Sequence, residues 1–304
     1  MTSSSSGSRH RTRPCSPNSR SAAFSSTDPE LDRCRRSGML AGVPVDARCD
    51  PLAALAELPG VLPACLAARE EIDQMLWDRT VRANAADIAT ESRLQGARAS
   101  AALEGAEVSL AAMRAGIAEE DSPVSRAVGA AIAVTAAIPR QVDTFGRAPL
   151  QVIAHLHVLA TRGFAAEDER GRPRATDEVI DPLHIGSLPA VADISPRLDA
   201  LAGVLTRPTD APAVLVAAIA HGEVLALRPF AWGSGLVARA MLRCVLAARG
   251  VDPDLLGCPE LGLLAAGRTA YVKALRGYAS GEPEGVADWI EFNARAIAVS
   301  NQTG

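Results

Sequence analysis

Hydrophobic positions recur every three or four residues along most of the chain beyond residue 50, which is the period of amphipathic helices. Across 66–84, Ile72, Met75 and Val81 fall near one face, with acidic residues early and arginines late, as the helix dipole favours. Pro139 is expected to end the helix that starts at residue 122, because proline interrupts the helical hydrogen bonds. The pattern predicts further helices over 100–115, 122–138, 150–162, 191–205, 211–227, 236–249, 260–278 and 285–299.

A polar segment at 163–190 breaks this pattern. Residues 163–186 of it, GFAAEDERGRPRATDEVIDPLHIG, are rich in Gly and Pro, and the segment predicts a long loop, with a short β-hairpin across 174–180. The chain has no internal repeat. We therefore predict one all-α domain over residues 50–304, preceded by a tail.

Composition supports this assignment and excludes several kinds of protein. Aromatic residues make up only 3% of the chain, which favours close-packed helices over aromatic-rich sheets. The net charge of -4 gives no case for nucleic acid or an anionic membrane surface as a partner. The longest apolar run, 127–138, is far shorter than the ~20 residues of a spanning helix. With no export signal and no CxxC pair among six cysteines, we expect reduced thiols and a cytoplasmic protein.

The first 49 residues differ from the rest. Residues 1–38 contain eleven Ser, seven Arg and three acidic residues, so they carry +4 and leave -8 for the remainder. So polar a segment is expected to be disordered. It is either a nucleic-acid arm, a solvated extension, or sequence upstream of a true start at Met39; we favour the last two over a nucleic-acid role.

Candidate chemistry concentrates in residues 217–249. An apolar helix ends at Arg228, a Gly233-Ser234-Gly235 turn follows, and a second helix starts at once. The start of a helix offers unpaired N–H groups to an anion, and Arg239 lies about one turn further on. Taken alone, the pattern fits a loop between two helices better than a phosphate site.

The residues here resemble a known family. RPFAWGSGLVAR is similar to the Fic (Fido) signature HPFx(D/E)GN(G/K)RxxR at the Pro, the Phe, both Gly and the last Arg. GRPRATDEVI resembles the flap that aligns the protein target, and Ser100, Glu104 and Gly105 match the inhibitory-helix motif (S/T)xxxE(G/N). The resemblance covers roughly residues 65–300 and implies a single Fic-type helical domain with a small β-hairpin flap.

The resemblance implies a degenerate active site. Fic proteins typically transfer AMP from ATP to a hydroxyl of a target protein, with the signature His as general base and the acidic residue holding Mg²⁺. Arg228 stands at the base position and has no lone pair to accept a proton. Trp232 stands at the position of the acid, Ser234 at that of the Asn and Leu236 at that of the first Arg. These differences imply a pseudoenzyme or a nucleotide- or phosphate-binding regulatory module.

Two alternatives stay open at this point. The first is an active transferase of AMP or another phospho-group by altered chemistry, with Glu104 or His221 as the base. The second concerns Glu104 and Arg239, which the resemblance pairs either as an autoinhibitory switch or as a buried ion pair kept for packing. We expect His221 to be structural, His155 and His157 not to form a metal pair, and Trp232 to plug the place of the metal.

The resemblance also implies the ligands and partners. The ligand is ATP or another nucleotide held at Gly233, Ser234, Gly235 and Arg239, without Mg²⁺, because tryptophan cannot ligate a hard cation. The sequence contains no zinc-ligand spacing, and no metal site is expected. The partner is an unidentified target protein, and homodimers are common in the family.

Overall fold

The computed structural model describes residues 39–40, 43–44, 50–116, 122–162 and 165–299. Almost all of the secondary structure in these ranges is helical. The helices are α1 (Pro51–Ala56), α2 (Val61–Trp77), α3 (Arg79–Ala83), α4 (Ala85–Leu103), α5 (Leu110–Arg114), α6 (Pro123–Phe145), α7 (Pro149–Ala160), α8 (Val191–Thr206), α9 (Ala213–Leu227), α10 (Ser234–Ala248), α11 (Pro259–Ala265), α12 (Arg268–Ser280) and α13 (Pro283–Val299). The predicted all-α class is confirmed.

Two very short strands precede the helices. Strand β1 (Met39–Leu40) pairs antiparallel with β2 (Val43–Pro44), with Leu40 opposite Val43. These four residues fall within the predicted disordered tail, and the rest of residues 1–49 lies outside the described part of the chain. Every helix in the described ranges is either too short or too polar to span a bilayer.

Helices α9 and α10 form the centre of the molecule. Fourteen consecutive residues of α9, Val214 to Leu227, are buried, and so are residues 234–247 of α10. A helix that is apolar on every side is stable only when other helices cover all its faces. Helix α6 covers α10, and α13 covers α9 and also packs against α2, α11 and α12. The turn between the two central helices is therefore held on a rigid base.

Several predicted helix bounds were wrong, among them those of the helix over 66–84, which is observed as α2, starting at Val61, and α3, separated at Asp78. Helix α6 continues through Pro139 to Phe145, because the buried Ile138 and Phe145 hold both sides of the proline in the core. The segment predicted as one helix over 100–115 is the end of α4, a turn and the short α5. The helix predicted over 260–278 is divided into α11 and α12 at Gly267, a residue that weakens helices.

The β-hairpin flap predicted across 174–180 is not seen. No strand occurs between residues 165 and 299. The backbone of the 174–180 segment hydrogen-bonds to the turn between α9 and α10, which we call the signature turn, instead of to itself. The amide of Arg174 donates to Pro229 O at 2.8 Å, and the amide of Ile180 donates to Ala231 O at 2.8 Å. The prediction failed because the backbone groups of the segment are satisfied by a turn distant in sequence, which local pattern does not reveal.

Candidate functional site

The candidate site is built on the turn between α9 and α10. Arg228 ends α9 in the left-handed conformation, with φ 47° and ψ 61°, and its amide still donates to Val224 O at 3.0 Å. Pro229 cannot extend the helix because it lacks an N–H group. Gly233, with φ 81°, precedes the first residue of α10, Ser234. The chain therefore reverses direction within five residues, and the first turn of α10 faces the cleft beside this turn.

His157 of α7 holds this turn from one side. Its ring stacks on Phe230, with centroids 3.7 Å apart and an angle of 4° between the planes. The amide of Gly171 donates to Nδ1 at 2.9 Å, so the proton of the neutral ring is on Nε2, which donates to Trp232 O at 3.2 Å. Burial lowers the pKa of His157 to about 4, so the ring is neutral near pH 7.

Arg228, at the predicted catalytic position, uses its guanidinium to bind the 181–187 loop. Nη1 pairs with Asp181 Oδ2 at 2.9 Å and donates to Gly186 O at 3.1 Å, and Nη2 donates to Ser187 O. Its own carbonyl accepts from Arg174 Nε at 3.0 Å. No proton acceptor remains at this position, so Arg228 can be a charge or an anchor but not a general base.

Residues 180–187, which we call the strap, cross the gap above the turn. The carboxylate of Asp181 accepts from the amides of Leu183 at 3.1 Å and Ile185 at 2.8 Å. Helix α12 holds the same segment, since Arg276 donates to His184 O at 2.6 Å and to Ile185 O at 3.1 Å. Arg268 donates to Pro182 O. The strap is therefore fixed by charged donors on two sides.

Glu104 approaches from the other side, at the end of α4. The helix closes with two backbone hydrogen bonds, from Gly105 N to Ala102 O and from Ala106 N to Ala101 O, each 2.9 Å. This is the Schellman pattern, which needs a left-handed residue after the cap, and Gly105 supplies it with φ 90°. The predicted motif residues Glu104 and Gly105 thus have a local reason to end the helix where they do.

The carboxylate of Glu104 pairs with Arg239 of α10. Arg239 Nη2 lies 2.6 Å from Glu104 Oε1, and the exposed fractions of the two side chains are 0% and 3%. Arg239 also donates from Nε to Ser100 Oγ at 2.6 Å and from Nη2 to Ser100 O at 3.2 Å. Although burial acts to lower the pKa of Arg239, the Glu104 carboxylate holds it above the ordinary value. The predicted residues Ser100, Glu104 and Arg239 are therefore in contact.

The same carboxylate lies over the first turn of α10. A Cβ at Gly235 would be 2.0 Å from Glu104 Oε1, so only glycine allows the carboxylate to come this close. The start of a helix favours anions because its N–H groups are unpaired and the helix dipole is positive there. Glu104 is thus an internal anion at the place where the sequence predicted a phosphate.

Little space remains in the cleft between these groups. Glu104, Asp181, Arg228 and the Gly233–Gly235 turn line it, and its volume of about 20 Å³ suffices for about one water molecule. The hydroxyl of Ser234 is within 3.4 Å of Phe230 N and O, where it closes the turn. A ligand of nucleotide size requires Glu104, the strap or both to move.

The residues around the cleft do not fit Mg²⁺. Trp232, which the resemblance places at the acid position, packs against the hydrophobic core and is not among the residues that line the cleft, contrary to the predicted plug. The two carboxylates that do line it, Glu104 and Asp181, each pair with an arginine. Among the described residues, no three His, Cys, Asp or Glu side chains come together as a metal site.

His221 lies deep in the core instead of in the cleft. It is fully buried, its Nδ1 donates to Asn293 Oδ1 at 2.7 Å, and its Nε2 accepts from the Tyr271 hydroxyl at 2.7 Å. The side-chain amide of Asn293 donates to Trp289 O at 2.9 Å, which fixes its orientation. Burial lowers the pKa of His221 to about 3. Both ring nitrogens are engaged, and neither reaches the cleft.

The fold is that of Fic-family structures. The chain superposes on a Fic family protein from Desulfovibrio desulfuricans G20 with a TM-score of 0.61 and 18% identity, over 79% of this chain and 73% of the other. It superposes on a fragment of Fic-1 from C. elegans with a TM-score of 0.59 and 19% identity, over 84% and 74%. A Fic domain containing signaling protein from Bacteroides thetaiotaomicron gives 0.54 and 12%, over 79% and 95%.

No protein-family model and no curated protein matches the chain. The likeness therefore rests on the three-dimensional fold, which the signature turn and the inhibitory-helix motif predicted from sequence. It shows a Fic-type domain and leaves the chemistry to be argued from the residues.

Two residues of the site, Asp181 and His157, were not predicted from the sequence. Asp181 was within the predicted loop, and nothing in its spacing indicated that it would pair with Arg228. For His157 the sequence predicts only that it forms no metal pair with His155; its position on the apolar α7 was the available sign that its ring would be buried.

Proposed function

We propose that the chain is a degenerate Fic-type protein that binds a phosphate-bearing ligand, such as a nucleotide, and acts as a regulatory module without efficient AMP transfer. We further propose that residues 50–304 form its single domain. The observation that carries the proposal is the position of Arg228. Where the family has its base, this chain has a guanidinium bound to a carboxylate and two backbone carbonyls.

Neither Glu104 nor His221, the two alternative bases, is free to replace the missing one. A missing general base costs about 10²–10⁴-fold in rate, and here the usual metal ligand is replaced by Trp232 as well. His221 gives no support to the alternative of an active transferase, because both its nitrogens are engaged in the core. Glu104, the other alternative base, is paired with Arg239.

Binding of an anion is supported by the charges that remain. Arg239 and the start of α10 already hold one carboxylate, that of Glu104. Removing this carboxylate leaves a buried arginine and unpaired helix N–H groups, which a phosphate can satisfy. On this proposal Glu104 is an intramolecular competitor of the ligand, and its pair with Arg239 is a switch.

The experiment compares ATP binding by the wild type and by Glu104→Gly, using calorimetry and thermal shift. We expect ATP to bind the variant at least about tenfold more tightly, equivalent to about 1.4 kcal/mol. Glu107→Gly is the matched control, because Glu107 is exposed three residues further on. A variant that melts earlier but binds ATP no better would show that the pair is structural only.

Catalysis is tested separately, with ATP labelled in its α-phosphate. Wild type and Glu104→Gly are incubated with Mg²⁺ or Mn²⁺ and a protein extract. We expect no more label on the proteins of the extract, or on the chain itself, than in a control in which the chain is denatured. Metal-dependent labelling that requires the folded chain would refute the pseudoenzyme and support the alternative transferase.

A further inference from the structure

A second arginine–carboxylate pair closes the same cleft. Arg228 Nη1 and Asp181 Oδ2 are 2.9 Å apart, and only 6% and 15% of their side chains are exposed. Glu104 and Arg239 form the first pair, between α4 and α10. In both pairs a carboxylate of the chain itself binds an arginine of the signature segment, residues 228–239. The second pair also joins that segment to the strap.

Arg228 is suited to this contact by its shape. Its guanidinium reaches Asp181, Gly186 O and Ser187 O together, which needs several N–H donors spread over two nitrogens. A histidine at this position would have at most two N–H groups, on opposite sides of a ring. The substitution that removes a base therefore supplies a multidentate anchor for the strap.

The strap is organised around Asp181. One carboxylate accepts the amides of Leu183 and Ile185 and also pairs with Arg228. A further bond, from Ile180 N to Ala231 O at 2.8 Å, ties the start of the strap to the signature turn. Loss of the ion pair leaves this single backbone bond between the first two residues of the strap and the turn.

We propose that Arg228 and Asp181 form a clasp that holds the strap over the cleft, and that opening the clasp controls ligand entry in addition to the release of Glu104. The inference rests on the proposed function, because it concerns the same cleft. The volume supports it: the cleft has room for about one water molecule, and strap residues Ile180, Pro182, Leu183 and Ile185 line it. Movement of Glu104 alone leaves this wall in place.

The clasp itself is tested without any ligand, by hydrogen exchange of the strap amides. We compare wild type, Asp181→Asn, Arg228→Gln and the double variant. Arg228→Gln is decisive, because the carboxylate that accepts from Leu183 and Ile185 stays present. We expect exchange at Ile180, Leu183 and Ile185 to accelerate at least about tenfold in each single variant and no further in the double variant.

Asp177→Asn is the matched control. Asp177 also pairs with an arginine of the same loop, Arg174, but 77% of its side chain is exposed. In Asp177→Asn we expect the strap amides to exchange at the wild-type rate. Unchanged exchange in both clasp variants, or equal acceleration in the control, would overturn the clasp. Thermal melts of each variant show whether acceleration is local or reflects global unfolding.

Entry is tested with ATP in the Glu104→Gly background. Adding Asp181→Asn should lower the Kd of ATP or raise its association rate by at least about tenfold. If Glu104→Gly binds ATP and the added substitution changes nothing, control of entry by the clasp is refuted and the proposed function stands. If no variant binds ATP although strap exchange accelerates, the proposed function fails and the clasp remains as a structural contact.

Discussion

Single residues decide the electrostatics of this core, and the buried histidines show it most directly. His221 and His157 have pKa values of about 3 and about 4, both lowered by burial from the ordinary 6.5. Below pH 6.5 an unfolded chain binds protons at these rings while the folded chain does not. The part of the unfolding free energy that depends on these two neutral rings is therefore fully present above about pH 6.5, and it is lost as the pH falls toward 3.

The first prediction follows for His221. Between pH 6 and pH 4, each buried histidine should steepen the loss of unfolding free energy by up to about 1.4 kcal/mol per pH unit, and by less for His157 near pH 4, where its folded ring is half protonated. His221→Gln and His157→Gln should each reduce that slope, as measured by urea unfolding at several pH values. His155→Gln is the control, since His155 on α7 is exposed. A slope that is the same in all four proteins would contradict the lowered pKa values.

A second prediction concerns the glycine beneath Glu104. In Gly235→Ala, the new Cβ would be 2.0 Å from Glu104 Oε1, so the carboxylate must leave Arg239. Breaking a buried pair costs about 3–5 kcal/mol, and we expect a loss of unfolding free energy of this order in urea. Gly129→Ala is the matched control in a helix, where nothing lies within 4 Å and alanine should stabilise slightly. Equal effects at both glycines would show that Glu104 is not held at Gly235.

At the scale of elements, periodicity located most helices but not the contacts that end them. The central helices were predictable because apolar runs bounded by Pro229 and the Gly233–Gly235 turn leave few alternatives. Pro139 was misjudged because packing on both sides outweighs one lost hydrogen bond. Part of the site was predictable, because motif spacing indicated Glu104 and Arg239. The partner of Arg228 was not, because it depends on how a long loop folds back.

The loop segment that replaced the predicted hairpin gives a third prediction. Arg174 is buried and donates to Arg228 O at 3.0 Å, to Thr176 O at 2.8 Å and to Pro189 O. In Arg174→Ala these carbonyls lose a charged donor, so the segment should open locally while the helices remain folded. Cleavage by a glutamate-specific protease at Glu178 should become at least about tenfold faster.

Arg172→Ala is the control for that experiment, because Arg172 is exposed two residues away. Its cleavage rate should equal that of the wild type. Rapid cleavage of both variants, or of neither, would show that Arg174 does not anchor the segment. Far-UV circular dichroism distinguishes local opening from loss of the helices.

For the whole molecule, buried arginine–carboxylate pairs connect elements that are distant in sequence. Arg239 joins α10 to α4, Arg243 joins it to α11 through Glu260, and Arg197 joins α8 to Glu223 of α9 at 2.7 Å. The chain has 31 cationic side chains, of which only Lys273 is lysine. Guanidinium is the cation suited to such sites, because it can satisfy several acceptors at once in a place without water.

The final prediction tests this use of arginine. Arg243 donates from Nη2 to Ser92 Oγ at 2.8 Å and to Leu255 O at 2.9 Å, while Nη1 lies 3.7 Å from Glu260 Oε2. A lysine has a single nitrogen and cannot reach all three, so Arg243→Lys should lower the unfolding free energy by about 2–4 kcal/mol in urea. Arg295→Lys, at an exposed pair with Glu291, should stay within about 0.5 kcal/mol of the wild type. If Arg243→Lys also stays within about 0.5 kcal/mol of the wild type, the charge alone matters, and the preference for arginine has no origin in these buried contacts.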